Sequence, residues 1–163
     1  MNAKEAIRIC IDSGNMITQM YLGDLSDADL LVRPTPGCNH IAWQLGHLIS
    51  SEHNLIEEVC PGSMPPLPAG FAEKYTSDTS KLDSPGVFHA KSVYMAAYEQ
   101  QRAGTLKALE KLPDGDLDKP GPEKFRDFLK TVAEVFSLIG SHWLMHAGQW
   151  AVVRRKLGRK PIF

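Results

Sequence analysis

Residues 129–161, LKTVAEVFSLIGSHWLMHAGQWAVVRRKLGRKP, decide the fold. Leu129, Val132, Phe136, Ile139, Trp143, His146, Trp150, Val153 and Leu157 alternate at spacings of three and four. That pattern predicts a long helix with one apolar stripe. Arg154, Arg155 and Lys156 fall in its last turn, Gly158 just past its end and Pro161 beyond. Cations there oppose the negative end of the helix dipole, and glycine suits a left-handed cap. Capping accounts for this basic cluster more simply than phosphate binding does.

Working outward, three further helices are predicted. Ala3, Ile7, Cys10, Gly14, Ile17 and Tyr21 mark one stripe over Ala3–Tyr21. After a loop containing Arg33–Gly37, a second helix starts with Asn39 as its N-cap and ends at Pro61-Gly62. Ile41, Leu45, Leu48, Leu55 and Val59 line its inner face. A third, with a weaker stripe of Tyr94, Tyr98, Thr105, Leu109 and Leu112, runs from about His89 to Leu112 and stops at Pro113-Asp114-Gly115. Four amphipathic helices with no convincing strand argue for an all-α four-helix bundle, and one domain over residues 1–163 is expected. The connection from Pro61 to Phe88 is proline-rich and aperiodic. It is long enough to cross from one end of the bundle to the other.

Composition excludes several functional classes. The chain of 163 residues is 43% hydrophobic and 23% charged, as in an average globular protein. Its 18 Lys and Arg balance 19 Asp and Glu, so no nucleic-acid partner is expected. No run approaches the roughly 18 apolar residues of a membrane span, and the N-terminus lacks the apolar core of a signal peptide. Cys10, Cys38 and Cys60 are too few and too far apart for a disulfide framework or a metal knuckle, and the expected location is a reducing cytoplasm.

Chemistry centres on histidine. His142 and His146, four apart on the last helix, stand with Cβ atoms roughly 5–6 Å from each other and can converge on one metal ion. His146 occupies the apolar stripe between Trp143 and Trp150, where a polar ring needs partners that a metal would supply. Gln149 lies on the same side of the wheel and could orient a ligand ring or a water. A third ligand must come from another helix. His47 in NHIAWQLGHLIS is the best placed, and Gly46 before it would admit a close neighbour. His40, two turns earlier, could face the same cleft. His53 points elsewhere, and His89 is expected in solvent. The other reading is of core or surface histidines satisfied by carbonyls, Ser50 or Ser51, with Trp43 and the other tryptophans as plain core. No phosphate-binding glycine loop, nucleophile elbow or paired acidic metal motif is present.

NHIAWQLGHL and the C-terminal stretch containing SHWLMHAGQW, with the motifs W-x-x-G-H-L and H-x-x-x-H-x-G-Q, resemble the DinB-like family of damage-inducible bacterial proteins. The resemblance implies an up-down-down-up bundle with a long crossover between its second and third helices. It implies a divalent metal, commonly zinc or nickel, on His47, His142 and His146. Gln149, His40 and Trp43 are expected in supporting or substrate-facing positions from the reading of the residues themselves. The resemblance further implies a homodimer and, in some members, transfer of a low-molecular-weight thiol such as bacillithiol, mycothiol or glutathione to a small electrophile. A non-catalytic metal-binding or dimerisation module, and a metal-dependent hydrolase, are the alternatives.

Overall fold

Asn2 and Glu5 close the start of the first helix on each other. Glu5 N donates to Asn2 Oδ1 at 2.9 Å, and Asn2 N donates to Glu5 Oε2 at 2.8 Å. This reciprocal cap satisfies two donors that the helix leaves open. From it α1 runs over Ala3–Leu22, followed by α2 (Ile41–Val59), α3 (Lys91–Lys111) and α4 (Val132–Lys156), in a computed structural model that describes residues 1–162. Short 3-10 turns fill the connections, and the described residues contain no strand, only an isolated bridge between Pro120 and Thr131.

Two apolar clusters give the helix directions. One holds Leu22, Ile41, Leu45, Tyr94, Tyr98, Trp143, Trp150 and Val153. The other holds Ile7, Ile11, Leu55, Ile56, Leu109, Val132, Phe136 and Ile139. Helices α1 and α4 therefore run toward the first cluster, and α2 and α3 run away from it. That is up-down-down-up order, and the long connection between α2 and α3 returns the chain to the starting end. Phe71 and Tyr75 of this crossover are buried in the first cluster.

The helices α1 and α4 touch backbone to backbone. A Cβ on Gly140 would lie 2.7 Å from Cys10 O, and one on Gly14 would lie 3.1 Å from Gly140 O. This contact sets the rotation of α1 and corrects the stripe read from sequence: Ile7, Ile11, Gly14, Thr18 and Leu22 are buried, while Ala3 and Cys10 are exposed and Tyr21 only partly covered.

Other boundaries shift by a few residues. The N-cap of α2 is His40 rather than Asn39, and α3 starts at Lys91 rather than near His89. Helix α3 has no side-chain cap of its own. Lys91 N instead donates to Asp27 Oδ1 at 2.6 Å, and its ammonium donates to Leu22 O at 2.5 Å and Leu25 O at 2.7 Å, closing the end of α1. At the end of α4, Gly158 takes φ 70° as a left-handed cap. Arg154 pairs with Asp24, and Arg159 reaches Asp29 Oδ2 at 3.1 Å. Much of the basic cluster is thus tied into the fold itself.

Candidate metal centre

His47 sits on α2 and His142 and His146 on α4, where these antiparallel helices face each other. A nitrogen from each ring lies within 4.8 Å of the others. Ring centroids are 5.3 Å apart for His47 and His142, 5.7 Å for His47 and His146, and 5.0 Å for His142 and His146. The rings of His47 and His142 have no hydrogen-bond partner among the described residues. All three are half-buried.

Burial keeps these imidazoles neutral. It lowers the pKa of His47 below the ordinary histidine value. Burial, reinforced by the neighbouring His47, pushes His142 down to about 4. Burial, with His142 and His47 adding to it, pushes His146 down to about 4 as well. A neutral imidazole is the form that ligates a metal.

Gln44 fixes one of the rings. Its Oε1 accepts from Trp150 Nε1 at 2.9 Å and stands 2.8 Å from His146 Nδ1. Its Nε2 donates to Asn39 O at 2.5 Å and to Gln149 Oε1 at 3.1 Å. Because an indole only donates and a carbonyl only accepts, the amide orientation follows, and His146 Nδ1 must carry its proton. Nε2 of His146 is left as the lone-pair nitrogen. Three nitrogen donors, close together and with one tautomer set by its neighbour, fit a divalent ion of the zinc type.

The crossover shields the histidines from one side. The Trp43 ring stacks on His47, with centroids 5.1 Å apart and planes 6° from parallel. Its indole N–H donates to Thr76 O at 3.1 Å and Thr79 Oγ1 at 3.2 Å, tying the crossover to α2. Tyr75 packs its ring against Gly46, where any Cβ would lie 2.1 Å from the ring carbons Cε1 and Cζ. Gly46 thus admits the close neighbour that the sequence suggested. The Tyr75 hydroxyl donates to the Tyr94 hydroxyl at 2.9 Å and lies 2.6 Å from His89 Nδ1. His89, expected in solvent, is half-buried and stacks on Phe71.

A cavity of about 590 Å³ opens from His47 and His142 and runs along the seam between α2 and α4. Ala72 and Tyr75 contribute from the crossover, and Phe125, Phe128 and Leu129 from the segment before α4.

A family model described as the DinB superfamily matches residues 11–150. The chain belongs to the DinB superfamily. No curated protein and no solved structure matches it. In this DinB-superfamily bundle the remaining candidates fall as follows. His40 does not face the cleft. It is fully buried as the N-cap of α2, with Nδ1 accepting from Trp43 N at 3.1 Å and Nε2 at 3.1 Å from Leu82 O. His53 turns to Gln101, with Nδ1 3.0 Å from Oε1. Gln149 reaches His146 only through Gln44. Sequence reasoning missed Gln44, although it stands three residues before His47 in W-Q-L-G-H-L, on the same face of α2. No helix among the described residues is long and apolar enough to cross a membrane.

Proposed function

We propose that the protein holds one divalent ion, zinc or nickel, on His47, His142 and His146, and transfers a low-molecular-weight thiol to a small electrophile. The observation that carries this reading is the placement of three neutral imidazoles, each with a free ring nitrogen and these within 4.8 Å of one another, two of which, His47 and His142, line a cavity of about 590 Å³. A three-histidine set with room for a further ligand matches catalytic rather than structural zinc. An ion bound there would lower the pKa of a coordinated thiol so that the nucleophile exists at neutral pH. The residues of the chain do the rest. Gln44 sets the tautomer of His146, Trp43 and Tyr75 wall off the His47 side, and the cavity holds the electrophile. No enzyme-borne thiol is needed, since Cys10, Cys38 and Cys60 lie outside the cavity lining. These three cysteines are unpaired, as suits a cytoplasm in which a small thiol is available.

Elemental analysis with a turnover assay tests the proposal. About one ion per chain is expected in the unaltered protein. His47→Ala, His142→Ala and His146→Ala should each lose it, while His53→Ala and His89→Ala keep it. Metal-loaded protein should conjugate bacillithiol, mycothiol, glutathione or cysteine to a chlorinated or epoxide electrophile, and His47→Ala should not. Full metal in His142→Ala would overturn the ligand set. Turnover no faster than free metal with every thiol would leave a metal-binding module instead.

The same proposal includes a homodimer. Ile9, Met16 and Met20 are exposed on the side of α1 opposite its buried face, and Leu144, Met145 and Val152 are exposed on α4. Exposed apolar side chains on the outer side of α1, with Leu144 and Val152 on α4, support burial against a second copy. Light scattering should give twice the chain mass, and a monomer mass at every concentration would refute it.

A further inference from the structure

The cavity beside the histidines has an apolar wall and a rim of one charge. Leu55, Leu129, Leu138 and Met145 form its sides, with Phe125 and Phe128 at the end away from the histidines. Phe128 is 62% exposed and Met145 59% exposed, so apolar surface stands ready to be covered. Ser50, buried in the same wall three residues from His47, has a hydroxyl with no hydrogen-bond partner.

The polar lining follows one line of α2. His47, Ser51, Asn54 and Glu58 succeed one another at four, three and four residues, so a single helix face carries a histidine at one end and a carboxylate at the other. At 1.5 Å per residue, about 16 Å separates them along the helix axis. Glu58 is exposed and makes no ion pair or side-chain hydrogen bond among the described residues. Its neighbour Glu57 differs, since it accepts from Gly62 N at 2.8 Å and Met64 N at 2.6 Å. Neither Lys nor Arg lines the cavity among the described residues. The ammonium of Lys124 lies over the Phe125 ring instead, 5.3 Å from its centroid. At the Glu58 end an anionic head group would meet a carboxylate with no Lys or Arg in the lining to offset it, whereas an ammonium would be attracted.

We infer that the cavity binds an apolar amine: an alkyl or aryl body along the Leu and Phe wall, an ammonium group at Glu58, and the opposite end toward His47 and His142. The inference rests on the proposed reaction only for making that opposite end the reacting one. Binding of the body and the ammonium requires no metal.

Calorimetric titration of the metal-free full chain with decylamine, decanol and decanoate, each below its aggregation concentration, compares three head groups on one body without a metal to ligate any of them. Decylamine should bind about twofold to fivefold more tightly than decanol, the range expected for one exposed charge contact, and decanoate should bind more weakly than decanol. Glu58→Gln, an exposed change that leaves the fold intact, should bring the amine and the alcohol to about the same affinity. Phe128→Ala should weaken all three by a similar factor and preserve their order. The order should also persist in His146→Ala, whose side chain is outside the cavity lining. Loss of metal there with the order retained separates this inference from the metal assignment. Decanoate binding as tightly as decylamine, an unchanged amine preference in Glu58→Gln, or no binding of any of the three overturns the inference, whatever the outcome for metal and thiol transfer.

Discussion

Gln44 Oε1 stands 2.8 Å from His146 Nδ1 and 2.9 Å from Trp150 Nε1, so one carboxamide oxygen on α2 holds both a candidate metal ligand and a core indole on α4. Partners of this kind orient the ring and raise its basicity, and their loss weakens metal binding by about 10–100-fold. Gln44→Leu should therefore lower metal affinity by about that factor while all three histidines remain. It also leaves the Trp150 N–H buried without an acceptor, at a cost of about 1–3 kcal/mol. Gln44→Glu keeps the acceptor oxygen and should keep most of the metal affinity, while loss of the donor to Asn39 O lowers stability. Competition against a chromogenic chelator measures both, and an unchanged affinity in Gln44→Leu would remove the orienting role.

Gly46 and Tyr75 are matched as closely as two residues can be. The ring fills the space where a Cβ would be, and its hydroxyl is held by Tyr94 and by His89. Alanine at 46 would favour the helix by about 1 kcal/mol, but the ring must move. Overpacking of this kind costs about 1–3 kcal/mol. Gly46→Ala should accordingly melt lower, by roughly 2–4 °C for each kcal/mol lost in a domain of this size. Gly46→Ala with Tyr75→Ala should melt no lower than Tyr75→Ala alone. A Gly46→Ala protein that melts at the original temperature would show that the ring can leave without loss.

Glu52 and Arg102 form a buried ion pair at the seam between the two apolar clusters. Arg102 Nη2 donates to Glu52 Oε2 at 2.8 Å, and the side chains are 5% and 1% exposed. Thr105 Oγ1 and Trp143 Nε1 also donate to the carboxylate, at 2.7 Å and 3.1 Å. Arg102 Nε and Nη1 have no hydrogen-bond acceptor, yet the guanidinium lies over the rings of Tyr98 and Trp143, 5.4 Å and 5.5 Å from their centroids. Removing one partner strands a buried charge, so Glu52→Leu should lose about 3–5 kcal/mol. Glu52→Leu with Arg102→Met should recover the part due to the stranded charge, while the Thr105 hydroxyl and the Trp143 N–H still lack their acceptor. Urea denaturation of these two variants and of Arg102→Met alone gives the coupling, and simple additivity would refute it.

The legibility of the fold differed between helices for physical reasons. In α4, bulky residues at Phe136, Ile139, Trp143 and Trp150 leave one choice of inner face, and all four are buried as the spacing predicts. In α1, Ile9, Met16 and Met20 put apolar weight on the outer side too, and the backbone contact of Gly14 with Gly140 settled the rotation that hydropathy left loose. Helix α3 reads weakly because its inner face includes Gln101, Arg102 and Gly104, satisfied or fitted by residues distant in sequence. His142 and His146 were legible because a helix repeats every 3.6 residues and places them together. Gln44 was not, since its partners lie more than a hundred residues away. The aromatic end of the cavity comes from Phe125, in a short 3-10 turn, and Phe128 just after it, outside the four α-helices, where no long period operates.

His40 gives the fold a dependence on pH that the metal centre does not explain. As the N-cap of α2 it must accept at Nδ1 from Trp43 N, so Nε2 carries the proton that is donated to Leu82 O. Burial holds its pKa below the ordinary 6.5, against the opposing pull of the Leu82 carbonyl, while Arg33 adds to the lowering and Asp83 counters it. A proton on Nδ1 would remove the cap. Below pH 6.5 the unfolded chain therefore binds a proton that the native state refuses, and stability falls as pH drops from there toward the lowered folded value. Asparagine caps helices well and does not titrate. Urea midpoints of metal-free protein at about pH 7.5 and 5.5 should differ less for His40→Asn than for the original chain. His47, His89, His142 and His146, also lowered, contribute a slope of the same sign to both proteins, so the difference between the two isolates His40. Equal slopes would mean that His40 protonates in the folded state as readily as in the unfolded chain, and that the cap does not depend on a neutral ring.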